Sequence, residues 1–299
     1  MVGSLTSIEA DDGYWIRTDQ DSELQVHGNI TAPVEYTLEE GSSLLSYPYS
    51  IPQSLNDAIP TNANEVTFAI VGEGLAAINI GAWVGSLADN EIGGLRGGKG
   101  YWFTTDLEGS DFVEFEFNSP SSSSTREIVS DFSRPDVPEG FEYTQSTSQA
   151  FYFIQNIENI EIGDWILSFN GDEVIGARQW QGSIIDVPVM GDDGSDYSKG
   201  YIKSGQFPVF KIYDASENLY YNAVASEEYG WSQFGIYIID NLTSRNDCGD
   251  GECASGETAE SCPQDCNENY PHWEDSPGEY MFVATMTASV TDGGVQSSD

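Results

Sequence analysis

Apolar and polar residues alternate along short stretches of the chain. Near position 115, Val113, Phe115 and Phe117 would face one side of a strand while Glu114 and Glu116 face the other. A period of two residues is typical of a half-buried strand. Short runs rich in aromatic and β-branched residues recur between positions 144 and 243: AFYFIQNI, DWILSF, EVIGARQW, FPVFKIYDA, NLYYNAV and FGIYIIDNL. No stretch keeps a 3.6-residue period over helical length, so we predict an all-β chain of tandem β-sandwich-like domains.

Asn170-Gly171 gives the strongest hairpin signal in the chain. The dipeptide stands between the runs WILSF and EVIGARQW, and both residue types tolerate the positive φ of a type I′ turn. We therefore predict a hairpin here.

A repeat organises the N-terminal part. Val-Gly-Ser-Leu, Gly-Tyr-Trp and Thr-Asp occur in this order at 2–26 and again at 84–117. The first copy lacks the residues that precede the second copy. We interpret 1–28 as the C-terminal end of a truncated β-repeat and 29–119 as a complete β-repeat domain.

The remaining segments differ in composition. The range 120–143 is a Ser- and Pro-rich linker, 144–243 is a second β-sandwich domain, and 244–268 is a Cys-rich spacer. The range 269–299 has a strand and a Gly-Gly turn with nothing after them, as at the start of a truncated β-domain. We expect neighbouring copies or flanking domains to complete both ends.

All the cysteines lie in the Cys-rich spacer. Cys248, Cys253, Cys262 and Cys266 have the spacing C-x4-C-x8-C-x3-C. The long central gap fits the paired knuckles of structural zinc poorly. We predict two disulfides, formed outside the reducing cytoplasm, and make the spacer a short disulfide-rich linker. The pairing stays open, as do a metal site made by the sulfurs and free thiols.

The charge narrows the range of partners. Fifty acidic and ten basic residues give a net charge of -40, so nucleic acid and anionic membranes are poor partners. The acidic residues also repel one another, and this repulsion is screened at about 1 M salt, where the Debye length is about 3 Å. No apolar run approaches the ~20 residues of a membrane-spanning helix, so we expect no membrane insertion.

Several segments resemble known modules. LLSYPYSIP, VGEGLAAINIGAWVGSL and GKGYWFTTD resemble β-repeat modules of large secreted and cell-surface proteins of marine bacteria, which marine phage virion fibres can borrow. The segment from QAFYFIQNI to FKIYDASENLYYNA resembles a module that accompanies those repeats, although the cysteines that often lie near its hairpin are absent. CGDGEC…CPQDC is similar to a small motif of secreted bacterial and archaeal proteins. The resemblance implies extracellular, multidomain proteins with adhesive or structural roles.

Two acidic loops are candidates for calcium, which takes six to eight oxygen ligands. The first contains Asp192, Asp193 and Asp196 around Gly194, without the pattern of an EF-hand. The second lies within the cysteine cluster and contains Asp247, Asp250, Glu252 and Glu257. Solvated acids in turns explain both loops as well, so both interpretations stay open.

Catalytic motifs are scarce. His27 and His272 form no metal-binding pair, and there is no nucleophile elbow or phosphate-binding glycine loop. We therefore expect no enzymatic activity.

Aromatic residues offer a different binding chemistry. Exposed rings would stack on sugars, and the candidates are Tyr14, Trp15, Tyr101, Trp102 and Trp180. Strand alternation instead predicts that the tryptophan of Gly-Tyr-Trp packs in a core beside a half-exposed tyrosine.

The sequence favours a non-enzymatic structural or adhesive segment of an extracellular β-domain array. Such an array could belong to a cell-surface protein, a filament or the exterior of a virion. The alternative is an array of carbohydrate-binding modules that recognise surface glycans through exposed tryptophan and tyrosine.

Overall fold

The computed structural model describes residues 9–14, 32–88, 93–107, 111–120, 137–158, 160–216 and 218–245, with 259, 266, 291–292 and 295–296. By their contacts, the residues divide into two compact units, Met1–Asp247 with Ala254–Gly256 and Cys248–Cys253 with Glu257–Asp299. The predicted all-β class is confirmed, since strands make up most of the regular structure.

The first module comprises the described residues from 32 to 120. Its elements are β1 (Glu35–Glu39), β2 (Gly41–Ser46), α1 (Leu55–Ala58), α2 (Thr61–Val66), β3 (Thr67–Val71), β4 (Ala76–Asn79), β5 (Trp83–Val84), β6 (Gly100–Thr105) and β7 (Phe112–Glu116). A five-stranded sheet has the order β2-β6-β3-β4-β5, and β1 pairs with β7. The two sheets enclose one apolar core.

The alternation near position 115 is confirmed. Phe115 and Phe117 are buried in the first module's core, whereas Glu114 and Glu116 are exposed. Antiparallel pairing places Phe115 opposite Tyr36 of β1, and the two rings stack with centroids 5.5 Å apart.

The two short helices were not predicted. Ser54 caps α1, because its hydroxyl accepts from the Asp57 N–H at 3.2 Å and donates to the Asp57 carboxylate at 2.8 Å. Helices of four and six residues are too short to show a 3.6-residue period.

Residues 9–14 lie beside β2. Gly13 N–H donates to the Leu44 carbonyl at 3.0 Å, and a Cβ on Gly100 would lie 3.5 Å from the Gly13 Cα. The glycines of the two repeat copies therefore lie against each other. The interpretation of 1–28 as the end of a truncated repeat stays a prediction, since 15–28 lies outside the described residues.

The second module comprises the described residues from 137 to 245. Its strands are β8 (Ser148–Ile157), β9 (Trp165–Asn170), β10 (Glu173–Gln179), β11 (Ile185–Gly191), β12 (Val209–Asp214), β13 (Leu219–Ala225) and β14 (Ile236–Arg245). They form one sheet of order β10-β9-β12-β13-β14-β8-β11, in which β14 and β8 are parallel and the other pairs antiparallel.

The predicted hairpin joins β9 to β10, with its turn one residue later than expected. Asn170 ends β9 opposite Glu173, so the central residues are Gly171 and Asp172. Gly171 has φ +61°. The side-chain amide of Asn170 donates to the Gly200 carbonyl at 2.7 Å, which holds this residue in the strand.

The sheet of the second module curls until its two ends pack together. Ser168 Oγ on β9 donates to the Pro188 carbonyl on β11 at 2.8 Å. A Cβ on Gly176 of β10 would lie 1.8 Å from the same oxygen, so only glycine lets the two ends approach this closely. The curled sheet surrounds the second module's core.

The end of the predicted linker packs on the second module. Val137, Phe141 and Tyr143 contact the cluster formed by Trp165, Leu167, Phe169 and Ala177. The domain limits drawn from the sequence stay predictions, since both modules belong to one compact unit.

In the second compact unit, β15 (Thr291–Asp292) pairs antiparallel with β16 (Val295–Gln296). Within the described part of the chain, no helix is long and apolar enough to span a membrane.

Candidate functional site

The first and second modules meet face to face across an apolar joint. One face of the five-stranded sheet contributes Tyr101 and Phe103 to the first module's core. The opposite face packs against Phe151 and Phe153 of β8. The residues of this face are Ala69, Val71, Ala76, Ile78 and the half-buried Trp102. Strand β8 is thus buried on both sides, which explains its unbroken apolar run AFYFI.

A buried carboxylate of the second module accepts hydrogen bonds from the first module across the joint. Asp186 of β11 is fully buried. Its Oδ1 accepts from the Ser86 N–H at 2.6 Å, and its Oδ2 accepts from the Ser86 hydroxyl at 2.6 Å and the Ala76 N–H at 3.2 Å. All of these donors belong to the first module.

Arg178 balances this buried charge. Its Nη2 lies 3.1 Å from Asp186 Oδ2 and also donates to the Gly74 carbonyl of the first module at 2.8 Å. Its Nε donates to the Asp186 carbonyl at 2.9 Å. We call Arg178, Asp186 and Ser86 the polar lock. Because the pair is shielded from water and hydrogen-bonded on both sides, it gives the joint one defined geometry.

Gln149 holds the turn between β3 and β4. Its Nε2 donates to the Gly72 carbonyl at 3.0 Å, and its Oε1 accepts from the Gly74 N–H at 3.3 Å. With Arg178 on the Gly74 carbonyl, the second module satisfies three backbone groups of this turn. The segment GEG in VGEGLA is therefore a contact between modules.

A cleft of about 550 Å³ opens beside the polar lock. The first module contributes Trp83 and Ser86 to its walls, and the second contributes Gln145, Trp165 and Arg178. The volume lies within the range of small-molecule sites, which often form between domains.

In the acidic turn predicted to bind calcium, the central carboxylate accepts hydrogen bonds from the protein itself. Asp193 Oδ1 accepts from the Ser195 N–H at 3.0 Å and the Ser198 hydroxyl at 2.9 Å, and Oδ2 accepts from the Thr147 hydroxyl at 3.0 Å and the Tyr197 hydroxyl at 2.6 Å. Burial alone would raise the pKa of Asp193, but the hydrogen bonds from Ser195, Tyr197 and Ser198 lower it well below its usual range.

The two neighbouring carboxylates pair with lysines. Asp192 Oδ1 accepts from the Gly194 N–H at 2.8 Å and its Oδ2 lies 3.3 Å from Lys203 Nζ; these contacts lower its pKa, the Gly194 hydrogen bond most. Asp196 is exposed and lies 2.7 Å from Lys199 Nζ. The described residues contain no group of three or more acidic, histidine or cysteine side chains able to hold a metal. Calcium at this turn stays a prediction.

Most of the second acidic loop lies outside the described residues. The residues of this loop that the structure does not describe are Asp247, Asp250, Glu252, Glu257, Cys248, Cys253 and Cys262. Cys266 is described and is not a free thiol. The predicted pairing of the cysteines stays open.

The expected exposure of Gly-Tyr-Trp is wrong for the second copy. Tyr101 is 3% exposed in the first module's core, and its burial raises the pKa of the phenol to about 12. Trp102 points to the opposite face and packs on Phe234 with ring centroids 4.6 Å apart. The two residues have the reverse of the expected roles: Tyr101 packs in the first module's core, and Trp102 lies on the opposite face of β6, which the joint covers.

The other sugar-stacking candidates do not form an exposed platform with these residues. Trp180 is 9% exposed and belongs to the second module's core. Tyr14 is half-buried, and its hydroxyl accepts from the Glu9 N–H at 2.8 Å. Trp15 lies outside the described residues, as do His27 and His272.

Sequence reasoning did not find the polar lock. Its signals were Asp186 between Ile185 and Val187, and Arg178 after Ala177, each a charge within a largely apolar strand. A buried charge is expensive unless it is paired, so two such charges on consecutive strands indicate mutual pairing.

Comparison of the chain with protein-family models, with curated proteins and with solved structures found no match.

Proposed function

We propose that the chain is a non-enzymatic structural or adhesive segment of an extracellular array of β-modules, in a cell-surface protein, a filament or a virion fibre. The observation that carries this proposal is the joint between the first and second modules. Apolar faces cover each other there, and Asp186 accepts hydrogen bonds from both modules. Modules on a flexible tether would leave such faces in water. A packed joint transmits force and orientation along an array.

The surface charge fits the same role. A net charge of -40 opposes close packing of modules and of neighbouring copies in dilute buffer, and a saline exterior screens that repulsion. The partners we propose are flanking modules or neighbouring copies of the chain, with disulfides in the Cys-rich spacer and calcium in its acidic loop as the stiffening elements.

Mechanical unfolding of single molecules tests the proposal. We expect the full chain, pulled by its ends, to lose the first and second modules in one event, because each module covers a face of the other. The variant Asp186→Ala should give two events at lower force. Two separate events in the unmodified chain would contradict a force-transmitting role.

The alternative array of carbohydrate-binding modules loses three of its predicted contacts. Tyr101 and Trp180 are buried, and Trp102 packs on Phe234. These rings contribute to cores and to the joint, so they do not offer a flat face to a sugar.

A further inference from the structure

The outer edge of β2 has the features of a strand that another segment covers. β2 has six residues, GSSLLS, and its register against β6 is continuous from Gly41 to Ser46. Proteins protect exposed edge strands with charges, proline, bulges or short length, because unpaired backbone groups attract further strands. At the opposite edge of this sheet, β5 has only two residues. β2 is longer, regular and without charge or proline, so its edge favours pairing.

Residues 9–14 occupy part of this edge in antiparallel register. The Gly13 N–H donates to the Leu44 carbonyl at 3.0 Å, and the Ser46 N–H donates to the Asp11 carbonyl at 3.4 Å. Hydrogen bonds between main chains are the usual means by which an extended segment adds to the edge of a sheet. The segment therefore lies on β2 as a short additional strand.

The side chains of this edge suit an acidic segment. The Ser46 hydroxyl donates to the Ala10 carbonyl at 2.6 Å. The segment carries Glu9, Asp11 and Asp12, which are all exposed. Because β2 itself has no charge, it receives these acids without like-charge repulsion, although the chain has a net charge of -40.

Glycine is required where the two backbones meet. A Cβ on Gly13 would lie 2.7 Å from Leu44 Cγ and 3.2 Å from the Leu45 carbonyl oxygen. Gly13 aligns with Gly100, the first residue of β6, in the second copy of Gly-Tyr-Trp. A Cβ on Gly100 would lie 3.4 Å from Leu44 Cδ1. The equivalent glycines of the two copies thus lie against the same leucine of β2.

We propose that the outer edge of β2 is the docking site for the Gly-Tyr-Trp segment of the preceding repeat. Successive repeats are then joined by strand addition as well as by the continuity of the chain. This inference rests on the proposed array of β-modules and names the partner of one edge of each repeat. The glycine lets the backbones approach, and its N–H supplies a hydrogen bond.

Hydrogen exchange in the full chain tests the pairing. The N–H groups of Gly13 and Ser46 donate across the edge. Asp12 pairs with Leu45 between these two bonds, so its own N–H faces away from β2. We expect the amides of Gly13 and Ser46 to be protected from exchange at least about tenfold more than the amide of Asp12.

A labelled peptide of residues 7–20, SIEADDGYWIRTDQ, tests recognition by the edge. The receiving protein is the full chain with Gly13→Pro, which removes the N–H and adds atoms where a Cβ already clashes. We expect the peptide to bind this variant in fluorescence anisotropy. It should bind the unmodified chain at least about tenfold more weakly, because the tethered segment competes at an effective concentration on the order of mM.

Two variant peptides locate the interaction. The Gly13→Pro peptide should bind at least about tenfold more weakly than the unmodified peptide. The Asp12→Ala peptide is the matched control and should bind as the unmodified peptide does. The exposed Asp12 carboxylate accepts from the Tyr14 hydroxyl of its own segment, at 3.3 Å. Thermal unfolding confirms that the Gly13→Pro chain is folded.

Three results would overturn the proposal: equal exchange of the Gly13, Ser46 and Asp12 amides, no binding of the peptide to the folded Gly13→Pro chain, or equal binding by the Gly13→Pro peptide. Each can occur while the first and second modules still unfold in one event. Failure of this inference is therefore distinguishable from failure of the proposed structural role.

Discussion

Ser86 holds the carboxylate of Asp186 with both its backbone N–H and its hydroxyl, each at 2.6 Å. The two residues are 100 positions apart in the chain and belong to different modules. Arg178 pairs with the same carboxylate from within the second module, so the carboxylate has all of its hydrogen bonds only when the modules are docked. The joint is therefore specific as well as apolar.

Removing the carboxylate should damage the joint severely. Asp186→Ala leaves Arg178 as an uncompensated buried charge and leaves donors of Ser86 and Ala76 without an acceptor. We expect a loss of about 3–5 kcal/mol in the free energy of unfolding, measured by urea denaturation. A loss below about 1 kcal/mol would show that water replaces the carboxylate and that the lock contributes little.

A surface ion pair provides the control for this variant. Lys99 Nζ lies 3.0 Å from Glu73 Oε2, and both side chains are about half exposed. Lys99→Ala should change the free energy of unfolding by less than about 1 kcal/mol. In a double-mutant cycle, Asp186→Ala and Arg178→Met should couple by about 1–3 kcal/mol, because each residue satisfies the other.

The strands were predictable because alternation and β-branched composition depend on local geometry. Phe115 and Glu116 show this, and so does the hairpin at Gly171. The joint was not predictable, because alternation indicates that a residue is covered without indicating by what. Tyr101 and Trp102 are both covered, one by its own module and the other by Phe234. A single sequence does not reveal that second layer.

The candidate site was less predictable than the fold. The cleft forms between residues far apart in the chain, such as Trp83 and Trp165. The acidic segment around Gly194 connects β11 to β12, but the sequence could not reveal that Asp193 is satisfied by hydroxyls of the protein. Hydrogen-bond partners of this kind depend on tertiary geometry.

Gly176 should tolerate no side chain. A Cβ there would lie 1.8 Å from the Pro188 carbonyl oxygen and 2.7 Å from Ser168 Oγ. Since the nearest atom is backbone of a packed strand, Gly176→Ala should destabilise the chain by about 3 kcal/mol, measured by urea denaturation.

Gly230→Ala is the matched control for Gly176→Ala. Its new Cβ would have its nearest neighbour at an ordinary 3.5 Å, so we expect a change of less than about 0.5 kcal/mol. Similar stabilities for the two variants would show that β10 and β11 separate easily, against the packed arrangement described above.

Calcium binding predicts a chelator effect. We expect EGTA to lower the melting temperature of the full chain, because bound calcium stabilises only the folded state. The shift should persist in Asp196→Asn, since this exposed carboxylate pairs with Lys199. It should shrink in Asp250→Asn if the acidic loop of the Cys-rich spacer is the site. An unchanged melting temperature with EGTA would exclude a stabilising calcium ion.

Asp193 should make the stability of the second module depend on pH. Its pKa in the folded chain lies below the ordinary value of 3.8, despite partial burial, because hydroxyls and a backbone N–H donate to the carboxylate. A lowered pKa means that the unfolded chain takes up the proton first. The stabilisation is therefore complete above this ordinary value and is lost progressively as the pH falls below it.

The variant Asp193→Asn tests this dependence. It should cost about 2 kcal/mol at neutral pH, because it removes hydrogen bonds to a charged group. The difference from the unmodified chain should shrink as the pH falls from about 5 to about 2, followed by urea denaturation at each pH. Asp196→Asn, at a side chain that is 96% exposed, should follow the unmodified chain throughout. A difference that stays constant with pH would show that the geometry of the turn, and not the charge of Asp193, provides the stabilisation.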